Sequence, residues 1–174
     1  MNSLIIRQAT VSDAAALAEI AARTFTETFA AANSPEDLDS HLHSSYGVAQ
    51  QTDELEDHDV TTLLALQGEV LIGFAQVRRS AAPSCVTSAR PVELHRFYLD
   101  RSAQGKGLAA PLMHAAREAA RALGGVDIWL GVWEHNPRAI AFYVKSGYVQ
   151  VGSHVFTVGS DNQTDYVFVS SLSK

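Results

Sequence analysis

"FYLDRSAQGKGLAAPL", residues 97–112, decides the fold. It runs from a β-prone aromatic segment through two glycines, Gly105 and Gly107, into an alanine-rich apolar segment. Strand, glycine loop and helix in that order cradle an anion, because the free N–H groups at a helix start and the helix dipole both favour negative charge. Gly105, Gly107 and Ala110 have the G-x-G-x-x-G/A spacing of a dinucleotide-binding unit, and Asp127 falls near the place of its ribose-binding acid. Asp127 nevertheless argues against that unit. The acid belongs at the carboxyl end of a strand, whereas Asp127 opens the strand-like "VDIWLGVW". The fingerprint also belongs in the first turn of a repeated βαβ unit, and here it comes after a hairpin in mid-chain.

The segments on either side predict alternating structure. Leu4 to Ala9 reads as a strand, and "TVSDAAALAEIAARTFTETF" as a helix capped by Ser12, with Leu17, Ile20 and Thr24 on one face. A second helix starts at "NSPED", where Ser34 caps, Pro35 takes the first turn and Asp37 stands where a capping box wants an acceptor. The polar "YGVAQQTDELEDHD" reads as one more helical piece. "VTTLLAL" and "VLIGFAQV" form a hairpin across "QGE", and "RSAAPSCVTSARP" is a loop with the marks of mobility. After the strand "VELHRFYL" and the glycine loop, a helix is expected from about Gly107 to Leu123, stopped by Gly124 and Gly125. "VDIWLGVW" is a buried strand, "NPRAIAFYVKSGY" a helix capped by Asn136, and "VQVGSHVF" and "TDYVFVSSL" are closing strands. The expected fold is α/β, a mixed and mostly antiparallel sheet of six to seven strands flanked by about four helices, in one domain spanning 1–174.

Bulk composition excludes several classes of function. The chain has 174 residues, 47% of them hydrophobic, and 13 Lys and Arg against 19 Asp and Glu leave a net charge of −6. A nucleic-acid surface of the usual basic kind is not expected, and an acidic chain suits cationic partners. No run of about 18 apolar residues marks a membrane span, and "MNSLIIRQAT" lacks the apolar core of a signal peptide. The expectation is a cytoplasmic protein. The lone Cys85 offers no internal disulfide, and no residue pattern points to a metal.

A family resemblance emerges when the glycine loop and the downstream helix are read together. "QGKGLA", residues 104–109, matches the Q/R-x-x-G-x-G/A motif of the GNAT superfamily of acetyl-coenzyme A-dependent N-acetyltransferases. "NPRAIAFYVKSGY", residues 136–148, is similar to that superfamily's second motif, N-x-x-A with a tyrosine and a Gly-aromatic pair after it. More narrowly, residues 24–36, 128–154 and 161–168 resemble PaiA-type polyamine acetyltransferases.

The resemblance implies acetyl-CoA as co-substrate and assigns residues to it. Backbone N–H groups from Gln104 through Gly105, Lys106, Gly107 and Leu108 to Ala109 would hold the pyrophosphate, with Lys106 adding charge at the rim. The pantetheine arm would lie along Phe97, Tyr98 and Leu99, with a main-chain N–H, that of Phe97, bonding the acetyl carbonyl. Tyr143 would protonate the leaving thiolate, Asn136 would contact the pantetheine amides, and Lys145 is a candidate for the nucleotide phosphates. Asn136 and Tyr143 are seven residues apart, so they share a helix face with the small Ala139 between them. A protonated amine has a pKa near 10, so a base or a water chain must first take a proton. Glu93 matches the position of a glutamate that some members use for this, and His95 is the alternative. Strict alternation would put Glu93, His95, Phe97 and Leu99 on one strand face and Leu94, Arg96 and Tyr98 on the other.

The acceptor pocket implied by the resemblance draws Phe25, Glu27 and Phe29 from the first helix, and Trp133, Glu134 and His154 from the late strands. Carboxylates with aromatic faces suit an ammonium. The expected reaction is direct acetyl transfer to a primary amine, a polyamine or another small cation, with no metal. The alternatives are a protein or peptide N-acetyltransferase and a non-catalytic acyl-CoA sensor. Expected partners are thus a small amine and no nucleic acid or membrane, and a homodimer is compatible with the sequence.

Overall fold

Leu4–Gln8 (β1) leads into Ala14–Phe29 (α1), which buries Leu17, Ile20 and Thr24 on one face as their spacing predicts. The structure, a computed structural model, describes residues 3–173; residues 1, 2 and 174 of the expected domain lie outside the described residues. The cap before α1 differs from expectation. Thr10 caps a 3-10 turn, Val11–Asp13, that leads into α1, and Asp13, its carboxylate fixed by Arg7 at 2.8 Å and accepting from the Thr10 N–H at 2.8 Å, takes the cap position of α1 in place of Ser12. Pro35–Ser45 (α2) starts as predicted, with Ser34 Oγ accepting from the Asp37 N–H at 3.1 Å. Val48–Glu56 (α3) comes from the polar stretch, as expected, and brings the α-helices among the described residues to five.

Val60–Gln67 (β2) and Val70–Arg78 (β3) form the hairpin through a two-residue turn, where Gly68 takes φ +67°. Pro91–Leu99 (β4), Ala109–Ala122 (α4), Asp127–Trp133 (β5), Pro137–Lys145 (α5), Val149–Val158 (β6) and Asp161–Ser171 (β7) complete the chain. Helix α4 starts at Ala109 rather than Gly107, because Gly107 at φ +77° is outside helical backbone. The segment between β3 and β4 is anchored: Val86 is buried with Trp129 and Val167, and Ser88 Oγ donates to Asp127 at 2.5 Å.

The sheet order is β1-β2-β3-β4-β5-β7-β6, and every pairing is antiparallel except β4 with β5. That parallel pairing consists of three residue pairs, Pro91 with Asp127, Val92 with Ile128 and Glu93 with Trp129. Beyond them the two strands part. On one face, α4 and α5 bury Leu112, Met113, Ala116 and Tyr143 against Leu94, Leu99, Ile128 and Leu130. On the other, α1 and the helices after it bury Phe25, Phe29 and Tyr46 against Leu64, Phe74 and Val158. Strand β6 is a sheet edge, with exposed Val149, Val151 and Val155.

Strict alternation fails in β4. Gln76 pairs with Arg96 and Val77 with Leu94, so His95 is an extra residue opposite a register shift, a β-bulge. Leu94 therefore joins Phe97 and Leu99 in the core under α4 and α5, while Tyr98 packs on the α1 side. Glu93, next to Leu94 and before the bulge, faces away from the side that Phe97 occupies. Among the described residues no helix is long and apolar enough to cross a membrane.

Candidate active site

Where β4 and β5 part, a cavity of about 1530 Å³ reaches both faces of the sheet. The backbone of β4 presents a free edge to it. The Asp100 N–H donates to the Ile72 carbonyl at 2.8 Å, so two-residue alternation turns the Tyr98 amide toward β3 and the Phe97 and Leu99 amides toward the opening. The Leu99 carbonyl obeys the same rule, accepting from Gln104 Nε2 at 2.9 Å.

The glycine loop closes one end of this opening. Gly105 and Gly107 take φ +75° and +77°, which other residues adopt only with strain. The Gln104 N–H turns back to the Arg101 carbonyl at 3.3 Å. Those of Gly105, Lys106, Gly107 and Leu108 make no hydrogen bond to protein among the described residues. The Gln104 side chain is a strut rather than a free contact, since its Oε1 accepts from Arg138 Nη1 at 2.7 Å while Nε2 holds the Leu99 carbonyl. Leu108, Ala109 and Lys145 line the cavity, and Lys106 does not. Arg101 and Arg138 also line it, two cations invisible to motif matching because neither belongs to a motif position.

Helix α5 supplies Asn136 and Tyr143 to the same wall, with Ala139 between them. Asn136 is its N-cap, with Oδ1 accepting from the Ala139 N–H at 3.2 Å. Tyr143 is 8% exposed, with its ring edge-on to Phe97 at 6.4 Å and to Tyr148 at 5.7 Å. Burial pushes its phenol well above the usual range, so it stays protonated.

Glu93 and His95 meet on the other side of the opening. Glu93 accepts from Arg78 Nε at 2.6 Å, Ser80 Oγ at 2.7 Å and His95 Nδ1 at 3.3 Å. Burial alone would raise its carboxyl, but the bonds and charge from Arg78 and from His95, which is itself protonated at the acid pH where Glu93 titrates, outweigh burial and hold it at about 2. His95 is pushed below 6.5, by burial first, with Arg96 adding to burial and Glu93 opposing it. Its imidazole is therefore neutral at pH 7, and the carboxylate on Nδ1 favours the tautomer with the hydrogen there and a free Nε2.

The acceptor side brings together most of the expected residues. Phe29 stacks on Phe25 at 4.4 Å and tilts against Trp133 at 5.5 Å, while Glu27 and His154 also face the cavity. Phe25, 1% exposed, serves the core as much as the wall. Glu134 is not among the lining residues; its carboxylate lies 3.7 Å from His135 Nε2. Sequence reasoning missed Asp165, Trp129 and Arg96, all of which line the cavity. The Arg96 guanidinium is 6% exposed, paired with Glu54 of α3, bonded to Gln76 Oε1 at 3.0 Å and set over the Tyr46 ring at 4.9 Å. It ties α2 and α3 to the sheet. Asp37 makes a second tie, accepting from the Ser160 N–H at 2.6 Å and its hydroxyl at 2.8 Å, between α2 and the β6–β7 turn.

Known proteins resemble this chain in sequence and in fold. The acetyltransferase (GNAT) family matches residues 15–148. A relative from Lactobacillus delbrueckii subsp. lactis, described as an uncharacterized N-acetyltransferase, is 32% identical over 173 residues, 99% of each chain. The spermidine N(1)-acetyltransferase of Thermoplasma acidophilum is 25% identical over 150 residues, 84% of this chain and 88% of that one. The crystal structure of the PaiA N-acetyltransferase from Thermoplasma acidophilum in complex with coenzyme A superposes with a TM-score of 0.79. It is 23% identical and covers 97% of this chain and 99% of that one, a likeness of fold. Matched to the family from residue 15 to residue 148, and to an N-acetyltransferase along nearly its whole length, the chain belongs to the acetyltransferase (GNAT) family and is an acetyl-CoA-dependent N-acetyltransferase.

Proposed function

We propose that the enzyme acetylates a small cationic primary amine by direct attack in a ternary complex. The observation that carries this reading is the parting of β4 from β5, which leaves one cavity open to both faces of the sheet. A thioester arm along the free edge of β4 and an amine entering from the α1 side can then meet with no enzyme-bound intermediate. Cys85 is not among the cavity's lining residues.

The residues present fit coenzyme A. The free N–H groups of Gly105 to Leu108 suit a pyrophosphate, and Arg101, Arg138 and Lys145 line the same cavity with positive charge. Bound acetyl-CoA supplies the activated acyl group. The Phe97 N–H on the free edge is the donor to the carbonyl oxygen, a role worth most when the donor is fixed in advance, as a strand amide is. Tyr143, kept protonated by burial, donates to the departing thiolate. Asn136 shares its face and helps to seat the pantetheine arm.

Glu93 is the first candidate for the base by position, yet a carboxylate held at about 2 by three donors is a weak acceptor for an ammonium proton. We assign Glu93 the task of orienting His95, and His95 Nε2 the task of taking the proton, directly or through water. Glu27, Phe29 and Trp133 favour a cationic acceptor through charge and cation–π attraction. The spermidine N(1)-acetyltransferase relative supports the same substrate class.

Thiol release from acetyl-CoA, measured with spermidine, spermine, simple alkylamines, amino acids and peptides, tests the reading. The expected result is turnover with small cationic amines and kcat lowered by roughly 10²- to 10⁴-fold in Tyr143→Phe, with cofactor Kd retained. An unchanged kcat removes Tyr143 from the acid role. Turnover confined to peptides, or coenzyme A binding without turnover of any amine, overturns the small-amine reading.

A further inference from the structure

Asp165 on β7 stands opposite Trp133 of β5 and His154 of β6. It is 7% exposed and its Oδ1 has no hydrogen-bond partner among the described residues. Trp129, in the same cavity wall, is buried with its ring edge-on to His154 at 6.2 Å. A carboxylate taken out of water without a donor is unfavourable, and structures keep such groups where a ligand completes them. Burial, with the nearby Glu134 charge adding to it, pushes Asp165 up to about 7, and no protein cation opposes that shift. Of the other carboxylates lining the cavity, Glu93 is already paired with Arg78 and Glu27 stands across it on α1, and burial keeps His154 below its ordinary range and so neutral at pH 7.

Gly131 is the third part of the arrangement. Its φ is not positive, so the backbone does not require glycine there. A Cβ at that position would stand 2.8 Å from His154 Nε2 and 3.0 Å from Asp165 Oδ2. The missing side chain thus makes room for both groups over β5, beside the opening between β4 and β5.

We propose that Asp165 is the counter-charge for a second, non-reacting ammonium group of the acceptor, held over Gly131 beside His154 and the indole of Trp129. This rests on the small-amine reading above and makes Asp165 a specificity-determining residue of the same reaction. Strand spacing of about 4.8 Å sets the distance. Asp165 lies one strand beyond β5, so the distal ammonium sits roughly 5–10 Å from the opening, within the span of a short linear diamine.

The test compares 1,4-diaminobutane with 1-aminobutane in wild type and Asp165→Asn, an isosteric change that removes the charge. The diamine KM is expected to rise roughly 10- to 100-fold, as loss of a charge-assisted bond implies, with kcat within about twofold and the monoamine KM unmoved. Without acetyl-CoA, the diamine should raise the Tm of wild type and not of the variant. At pH 8 the variant's own Tm should equal or exceed that of wild type, because a buried unpaired charge is gone. Equal KM shifts for both amines, a fall in kcat for both, or a lower Tm of the variant at pH 8 overturns the proposal. If wild type acetylates neither these nor any other small amine of the panel above, the small-amine reading fails instead, and the thermal shift by the diamine still decides whether Asp165 binds it.

Discussion

In the proposed mechanism Glu93 and His95 divide one task between two environments. Three donors keep the carboxylate ionised, and burial keeps the imidazole neutral and able to accept a proton. Glu93 raises the pKa of His95, so Glu93→Gln should shift the acid limb of kcat/KM to lower pH without abolishing it. His95→Gln should abolish the limb and lower kcat about 100-fold or more. A pH–rate profile of each variant checks both, and a limb lost in Glu93→Gln would return the base role to the carboxylate. The sign for folding is opposite in sense: with its pKa depressed from 4.5 to about 2, Glu93 stabilises the fold above 4.5 and loses that contribution as pH falls toward 2. Asn136 and Tyr143 lie where helical spacing places them, on one face and in one cavity wall. The facing of Glu93 relative to Phe97 does not obey the strand period, because a bulge at His95 inserts one residue and nothing in "VELHRFYL" marks it. Asp165 was illegible for a related reason: a carboxylate's burial depends on strands that pair with it from elsewhere in the chain.

At the scale of elements, the acceptor side depends on α2 and α3, whose sequences are polar and whose apolar contact with the sheet is modest. Leu38, Leu42 and Leu55 are only partly buried. The Arg96 network compensates by fixing α3 through Glu54 and the α2 end through the Ser45 carbonyl at 3.4 Å. Arg96→Met leaves Glu54 without its cation and should cost about 3–5 kcal/mol in urea unfolding. Adding Glu54→Gln should recover a large part of that loss, and strict additivity of the two changes would mean that the pair does not act as a unit. The elements themselves were largely legible, since Pro35 after Ser34, Pro137 after Asn136, and the apolar strands "VTTLLAL" and "VLIGFAQV" carry strong local signals. The exceptions are at ends. Ser12 lost the cap to Asp13, which bonds the Thr10 N–H, and α4 begins only once backbone of positive φ is behind it.

For the molecule as a whole, element order along the chain and sheet class could be read from the pattern, but the strand order within the sheet and the opening between β4 and β5 could not. Residues 94–99 are as β-prone as those that pair fully, and periodicity reports which face a residue takes, not whether an edge has a neighbour. The three pairs that join β4 to β5 divide the sheet into a block of β1 to β4 and a block of β5 to β7. Below them one core under α4 and α5 joins the two blocks, so backbone bonding between them is confined to those three pairs while side-chain packing is not. In the proposed binding mode a thioester arm lying along β4 takes the place of a missing strand. Hydrogen exchange at the Phe97 and Leu99 amides should therefore be fast in the free protein and slow with coenzyme A bound, while the Tyr98 amide, bonded toward β3, changes little. Equal protection of all three amides in both states would mean that the joint is already rigid. Protection of Phe97 and Leu99 alone would place the arm on the edge that β5 leaves free, and would make the cofactor one wall of the pocket that the amine then finds.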